Sequence, residues 1–146
     1  MNDSSEIVGI LVVLRVDGEP SLFVLLAEDG AINRMGNGSV DDIERKMFIG
    51  QVTPDLFMQL RSRVTPGVVH FLGQRLAASQ PKGQLCELTV MFTYADGREA
   101  TSAWRYGSES QGPHPEVRDF VTAAVEVTEP WFQQQKQLGG RSISSA

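Results

Sequence analysis

The chain has 146 residues, of which 41% are hydrophobic and 21% charged, and this composition is typical of one globular domain. Its formal net charge of −5, with Lys and Arg scattered along the sequence, argues against nucleic acids and anionic membrane surfaces as partners. The single cysteine, Cys86, excludes an internal disulfide framework, and no segment has the pattern of a membrane span or a signal peptide, so we predict a cytoplasmic protein.

The N-terminal part of the sequence predicts an antiparallel meander of three strands. Residues 1–5 are polar and are predicted to be disordered. Residues 7–16 are rich in β-branched side chains, residues 22–27 are apolar, and residues 31–35 form a shorter run. Asp-Gly pairs separate these runs and provide the positive φ that tight hairpin turns require. Because residues 22–27 lack polar alternation, we expect that strand to be covered on both faces.

The middle of the chain carries three signals for helix starts. Ser39 is placed to cap a short helix over residues 40–48, with acidic residues in its first turn. Residues 53–55 (Thr-Pro-Asp) and residues 65–66 (Thr-Pro) combine a capping residue with a proline suited to the first helical position. Residues 73–79 fit either a continuation of the last helix or an edge strand.

A long helix is predicted from Pro115 to the C-terminal region. Its apolar stripe consists of Val117, Phe120, Val121, Ala124, Val125 and Thr128. Pro130 lacks a backbone donor, so we expect the helix to kink or restart there. The Gly-Gly pair that opens residues 139–146 is expected to end the helix before a disordered tail. Trp131 and Phe132 fit either a core plug or an exposed apolar patch.

These elements predict an α+β fold in one domain over residues 6–138. Residues 85–94 alternate between apolar and polar side chains, and residues 98–106 follow an Asp-Gly turn as their hairpin partner. An antiparallel sheet of about five strands, built from the meander and this hairpin, is expected to pack one face on helices. The C-terminal helix should bury Phe120, Val121, Ala124 and Val125 against Leu88, Val90 and Phe92.

The sequence contains no recognisable catalytic, metal-binding or nucleotide-binding motif. The glycines within residues 36–38 lack the third glycine and the lysine of a phosphate-binding loop. The serines within residues 107–112 lack the flanking glycines of a hydrolase elbow. Cys86 lies on the apolar face of its strand, where a thiol is an inert small hydrophobe. We therefore predict no metal and no cofactor, and the pattern favours a protein that is not an enzyme.

The strand end and loop after the second hairpin form the candidate site. Its residues are Trp104, Arg105, Tyr106, Ser108 and His114. Functional residues favour loops held by rigid elements, and aromatic and arginine side chains are typical of binding hot spots. The alternative interpretation packs Trp104 under the C-terminal helix, with Arg105 and Tyr106 along its edge.

Two functional hypotheses follow from the sequence. The first is a non-enzymatic interaction module that binds a protein partner, including a second copy of itself, through a sheet edge or the loop after Trp104. The second is a small-molecule-binding protein or a weak hydrolase with its site near residues 104–115. A flat apolar patch or an unpaired strand edge would favour the first hypothesis, and a concave pocket with converging polar groups the second.

Overall fold

The computed structural model describes residues 6–39 and 46–145, and the side chains up to residue 138. Its elements in chain order are β1 (Ile7–Val16), β2 (Glu19–Ala27), β3 (Ala31–Gly36), β4 (Met47–Gln51), α1 (Asp55–Arg61), α2 (Pro66–His70), β5 (Arg75–Ala77), β6 (Leu85–Tyr94), β7 (Glu99–Gly107) and α3 (Pro115–Ser145).

All of these strands belong to one sheet, in the order β4-β3-β2-β1-β6-β7-β5. β5 runs parallel to β7, and every other neighbouring pair is antiparallel. The predicted α+β class, with a sheet and a long C-terminal helix, is therefore confirmed. The detail differs, because the described sheet has seven strands instead of about five and is mixed instead of antiparallel. The two additional strands lie at the two edges of the sheet: β4 was not predicted, and β5 was one of two interpretations of residues 73–79.

Turn chemistry sets the register of the N-terminal meander. Asp17 (φ 50°) and Gly18 (φ 83°) close the β1–β2 hairpin, and Gly30 (φ 95°) lies in the turn between β2 and β3. These positive φ angles suit Asp-Gly turns, because glycine has no Cβ to clash with the backbone. The resulting pairing places Leu11 of β1 opposite Leu25 of β2. The predicted meander is confirmed.

The predicted helix over residues 40–48 is wrong at its C-terminal end, where Met47–Gln51 forms β4. Residues 40–45 lie outside the described part of the chain. β4 pairs with β3, and the ring of Phe48 packs edge-on against that of Phe132, with 5.7 Å between the ring centroids. These long-range contacts override the local capping pattern, since helix propensity is a weak signal beside tertiary packing.

Residues 73–79 contain an edge strand, which decides between the two interpretations of this segment. Thr65 caps α2, and its hydroxyl accepts a hydrogen bond from the Val68 amide at 3.3 Å. The helix does not continue, because Gly73 adopts φ +86° and donates its amide to β7. Arg75–Ala77 then pairs with β7 as β5.

The C-terminal helix is continuous from Pro115 to Ser145, through both positions where the sequence predicted an interruption. It does not restart at Pro130, and the Gly-Gly pair at residues 139–140 does not end it. Proline in a helix costs about 3 kcal/mol and glycine about 1 kcal/mol, which tertiary contacts can offset. Beside Pro130, the guanidinium of Arg34 on β3 donates a hydrogen bond to the Thr128 hydroxyl at 2.9 Å and so ties this turn of the helix to the sheet.

The hydrophobic core lies between the helices and one side of the sheet, which we call the inner face; the opposite side is the outer face. Its strand members occupy alternate positions and include Ile10, Val12, Leu14, Leu22, Val24, Leu26, Leu88, Val90 and Phe92. The ring of Phe120 meets that of Phe92 edge to face, with centroids 5.7 Å apart. Phe120 and Ala124 are buried as predicted, whereas Val121 and Val125 are only partly buried.

Trp131 and Phe132 belong to the core layer between α3 and the β4 edge. Phe132 is 1% exposed, and the Arg34 guanidinium lies 4.2 Å from its ring centroid. Trp131 is partly buried over Gly50, where an added Cβ would lie 2.7 Å from the indole ring. Of the two interpretations for this pair, the core plug is therefore the one that the structure supports.

Candidate functional site

The outer face of the sheet carries no helix within the described part of the chain. Each helix contributes instead to the inner-face core, through Phe57 of α1, Val68 of α2 and Phe120 of α3. A sheet with one packed and one solvated face normally alternates between apolar residues facing in and polar residues facing out. The outer face departs from this pattern over β1, β2, β3, β4 and β6.

Two rows of outer-face side chains cross these five strands without a charged residue. The register places Met47, Met35, Phe23, Val13 and Thr89 in one row and Ile49, Asn33, Leu25, Leu11 and Met91 in the other. All of them except Thr89 and Asn33 are apolar. Ile49 is 75% exposed and Met47 is 36% exposed. We call these two rows the apolar patch.

The apolar patch is comparable in size to the largest apolar patch of a typical monomer, which covers about 300–600 Å². Strands lie about 4.8 Å apart, so five of them span about 24 Å, and two rows about 7 Å apart cover on the order of 300 Å². Met35 contributes little of this area, because it is only 6% exposed. Patches of this size on monomers are often functional. The expectation that residues 22–27 are covered on both faces is therefore wrong for the described protomer, because Phe23 and Leu25 of β2 lie in the patch.

Charged side chains border the apolar patch. On β7, Glu99 and Arg105 both lie on the outer face and are exposed, at opposite ends of the strand. Arg15 of β1 lies opposite Glu87 of β6, in the same cross-strand row as Arg105. The patch thus has the apolar centre and charged rim that protein interfaces share.

The structure divides the predicted site residues of β7 between the two faces of the sheet. Trp104 and Tyr106 face inward with the core, whereas Arg105 faces outward, because side chains alternate along a strand. The Trp104 ring meets that of Phe71 at 4.8 Å between centroids. Trp104 therefore packs against Phe71, the residue that caps α2, and not under α3, where the alternative interpretation placed it.

The two predicted loop residues hold local structure. Ser108 Oγ accepts a hydrogen bond from the Gln84 amide at 2.9 Å and so ties the loop to the start of β6. His114 Nδ1 accepts the Glu116 amide at 3.1 Å, which caps the start of α3. Both residues thus have structural partners. In addition, the centroid of the His114 ring lies 5.4 Å from that of the Phe71 ring.

Trp104, Tyr106 and His114 line a groove between β5 and the loop that follows β7, which we call the aromatic groove. It consists of two hollows of about 350 Å³ and about 480 Å³. The hollows share Leu76, Trp104, Ser110, Gln111 and Gly112. Small-molecule sites commonly have volumes in this range. With Arg105, which lines the smaller hollow, the groove brings together four of the five predicted site residues and excludes Ser108.

The groups with raised pKa values at this end of the sheet are acids that burial keeps neutral. Burial raises the pKa of the Tyr106 hydroxyl to about 12, aided by the nearby Cys86 and opposed by the charge of Arg118. Burial also raises the pKa of the Cys86 thiol, with a smaller contribution from Asp17. A thiol with a raised pKa is a poor nucleophile at neutral pH.

Alkaline pH is expected to destabilise the fold through Tyr106. Its pKa is about 12 in the fold and about 10 in an unfolded chain, so its contribution is complete below pH 10 and is lost as pH rises from 10 to 12. We expect Tyr106→Phe to flatten this part of the stability profile. Urea unfolding of the wild type and the variant between pH 8 and about pH 12 measures how the free energy of unfolding depends on pH. Parallel profiles would contradict the assignment.

One buried charged residue has no counterpart among the sequence predictions. Arg34 of β3 is 0% exposed, although arginine is almost never fully buried unless it is paired. Its Nε donates to the Gly36 carbonyl at 2.8 Å, and a terminal nitrogen donates to Glu129 at 2.9 Å. Its position in the strand could have indicated this burial, because strand alternation places residue 34 on the same face as Ile32.

The described residues contain no group of three or more His, Cys, Asp and Glu side chains placed to hold a metal ion. None of the described helices is both long and apolar enough to cross a membrane. No family model, curated protein or solved structure matches this chain. The apolar patch and the aromatic groove are therefore the two surfaces from which its function is inferred.

Proposed function

We propose that this protein is a non-enzymatic interaction module that binds a second copy of itself through the outer face of the sheet. The observation that carries the proposal is the apolar patch, which spans five strands without a charged side chain. A flat apolar surface of this kind is typical of protein interfaces. A second copy fits it because two uncharged patches can approach each other without burying like charges.

The area of the outer face is sufficient for a stable dimer. Seven strands span about 34 Å, and about 24 Å of strand length gives a face on the order of 800 Å². A standard protein interface buries about 800 Å² on each partner. Two sheets that pack face to face keep their strands within about 30° of each other.

Charge on β7 favours one orientation of the second copy. A two-fold axis that lies between the two sheets, perpendicular to the strands, reverses the strand direction of the partner. This operation brings Arg105 of one protomer over Glu99 of the other, and the pair occurs twice. The orientation with the axis along the central strands would instead place β7 of one protomer over β3 of the other, so that Arg105 would not meet Glu99. We therefore assign Arg105, a predicted site residue, to the rim of this interface.

The test compares two exposed apolar residues on opposite sides of the molecule. Ile49, 75% exposed on the outer face, and Met58, 52% exposed on α1, are each replaced by Lys. We expect the wild type and Met58→Lys to sediment as dimers and Ile49→Lys to dissociate at least about tenfold more readily, because one interface charge costs more than about 1.4 kcal/mol. A monomeric wild type at high micromolar concentration would refute self-association.

A charge swap tests the orientation. Arg105→Glu places like charges together twice and should weaken the dimer, and Glu99→Arg combined with it should restore the wild-type dissociation constant. Circular dichroism spectra identical to that of the wild type show that each variant is folded. Failure of the double variant to restore dimerisation would contradict this orientation, while the Ile49 and Met58 comparison still tests the face itself.

A further inference from the structure

The aromatic groove has the shape and the walls of a ligand site that is distinct from the apolar patch, and Arg105, at the rim of the proposed interface, lines its smaller hollow. Phe71, Trp104, Tyr106 and His114 supply its ring surfaces, all on the inner-face side of β7 or beyond the sheet edge. Ligand sites are mostly apolar and contain a few well-placed polar groups. Ser110 and Gln111 provide uncharged polar atoms on the loop wall.

The charge of the groove is opposite to that of the protein. The chain carries a net charge of −5, yet no Asp or Glu lines either hollow. Arg118 of α3 lines the larger hollow, is exposed, and has no ion-pair partner among the residues that the structure describes. Its charge acts on the Tyr106 hydroxyl, so the cation and the aromatic wall are close together. An anionic ligand is favoured by this arrangement.

Hydrogen bonds within the protein limit which groups are available to donate to a bound anion. The first amides of α3 are already bonded, since Val117 and Arg118 donate to the His114 carbonyl and Glu116 donates to His114 Nδ1. Trp104 Nε1 has no partner among the described residues, but it is sealed within the wall and presents no donor to the groove. In the larger hollow, the guanidinium of Arg118 is therefore the donor that a carboxylate would meet, in the bidentate geometry that arginine favours, whereas Arg105 lines only the smaller hollow.

We propose that the aromatic groove binds a small amphipathic carboxylate, whose apolar body lies against Trp104 and whose carboxylate pairs with Arg118. The volume of the two hollows suits a ring or a short aliphatic chain. The binding does not require the dimer, because the apolar patch and the groove lie on different faces of the sheet.

Trp104 fluorescence provides the readout. Trp131→Phe leaves Trp104 as the only tryptophan, and 3-phenylpropionate is the probe, with the uncharged 3-phenylpropionamide as its matched control. We expect saturable quenching by the carboxylate and at least about tenfold weaker binding of the amide, since the amide lacks the negative charge that pairs with Arg118. Calorimetry on the wild-type protein repeats the measurement without the Trp131 change.

Two arginine variants locate the charge. Arg118→Gln should reduce carboxylate affinity at least about tenfold and leave the amide affinity unchanged, whereas Arg63→Gln, at an exposed arginine outside the groove, should change neither. Equal affinity for the two probes, no saturable binding of either, or an Arg118→Gln variant that binds like the wild type would each overturn the proposal. None of these results bears on whether the protein dimerises.

Discussion

Replacement of Arg34 by Met is expected to lower the free energy of unfolding by about 3 kcal/mol, and the melting temperature by about 10 °C. Arg34 is 0% exposed and connects β3 to the turn of α3 before Pro130. Met fills part of the space but donates no hydrogen bonds. The Gly36 carbonyl then loses the donor that satisfies it at 2.8 Å, and an unsatisfied buried acceptor costs about 1–3 kcal/mol.

The expected loss of stability in Arg34→Met lies at the lower end of the range for buried ion pairs, because the partner of Arg34 is partly solvated. The Glu129 side chain is 39% exposed, so the variant does not leave a fully buried unpaired charge. Burial raises the pKa of Glu129, but hydrogen bonds from Gln133 and Arg34, with the charge of Arg34, outweigh it and lower the pKa overall. Below that lowered pKa, Glu129 is neutral and its contribution to stability is lost.

Chemical denaturation at one fixed protein concentration measures the Arg34 effect, with Arg63→Met as the control. Arg63 is exposed, so its replacement should change stability by less than about 0.5 kcal/mol. Arg34→Lys should also be destabilised, because lysine cannot reproduce the planar set of donors. A loss below about 1 kcal/mol in Arg34→Met would show that the buried guanidinium does not hold α3 to the sheet.

Phe120→Ala is expected to be at least as destabilising, by about 3–5 kcal/mol. Phe120 is 1% exposed, and its ring packs edge to face on Phe92 of β6 with 5.7 Å between centroids. The change removes the buried ring and leaves a cavity at the centre of the contact between α3 and the sheet, which packed neighbours fill only in part. Loss of the aromatic pair adds to the effect.

Thr122→Ala is the matched control for Phe120→Ala, because Thr122 lies on the exposed side of the same helix. Alanine favours the helix slightly more than threonine, so this variant should lie within about 0.5 kcal/mol of the wild type. Similar unfolding midpoints for the two variants would mean that the stripe of α3 does not pack on the sheet through Phe120.

Local patterns in the sequence predicted the parts of the fold that local chemistry decides. The alternation over residues 85–94 and the Asp-Gly turns define β6, β7 and the meander, because side-chain period and positive φ depend on neighbouring residues. β4 could not be predicted from local patterns. Its five residues acquire strand structure from β3 and from Phe132, far along the chain, while the nearer capping pattern favoured a helix.

The apolar patch was present in the sequence as an unexplained feature. Residues 22–27 have no polar alternation, which indicated that both faces of β2 are covered. The described protomer covers only one of them. We interpret the discrepancy as a property of the assembly, since the second face can be covered by a partner protomer. The aromatic groove could not be predicted, because it depends on β5 lying beside the loop that follows β7.

Methionine methyl groups allow the most direct test of the proposed interface. Met47 and Met91 lie in the apolar patch, whereas Met58 lies on α1. In the presence of a soluble paramagnetic agent, methyl NMR reports which of them contact solvent. We predict that Met47 and Met91 are protected and that Met58, 52% exposed, relaxes strongly. Met47 is 36% exposed in the protomer. If its methyl group relaxed as strongly as that of Met58 at high protein concentration, the result would contradict the proposed interface.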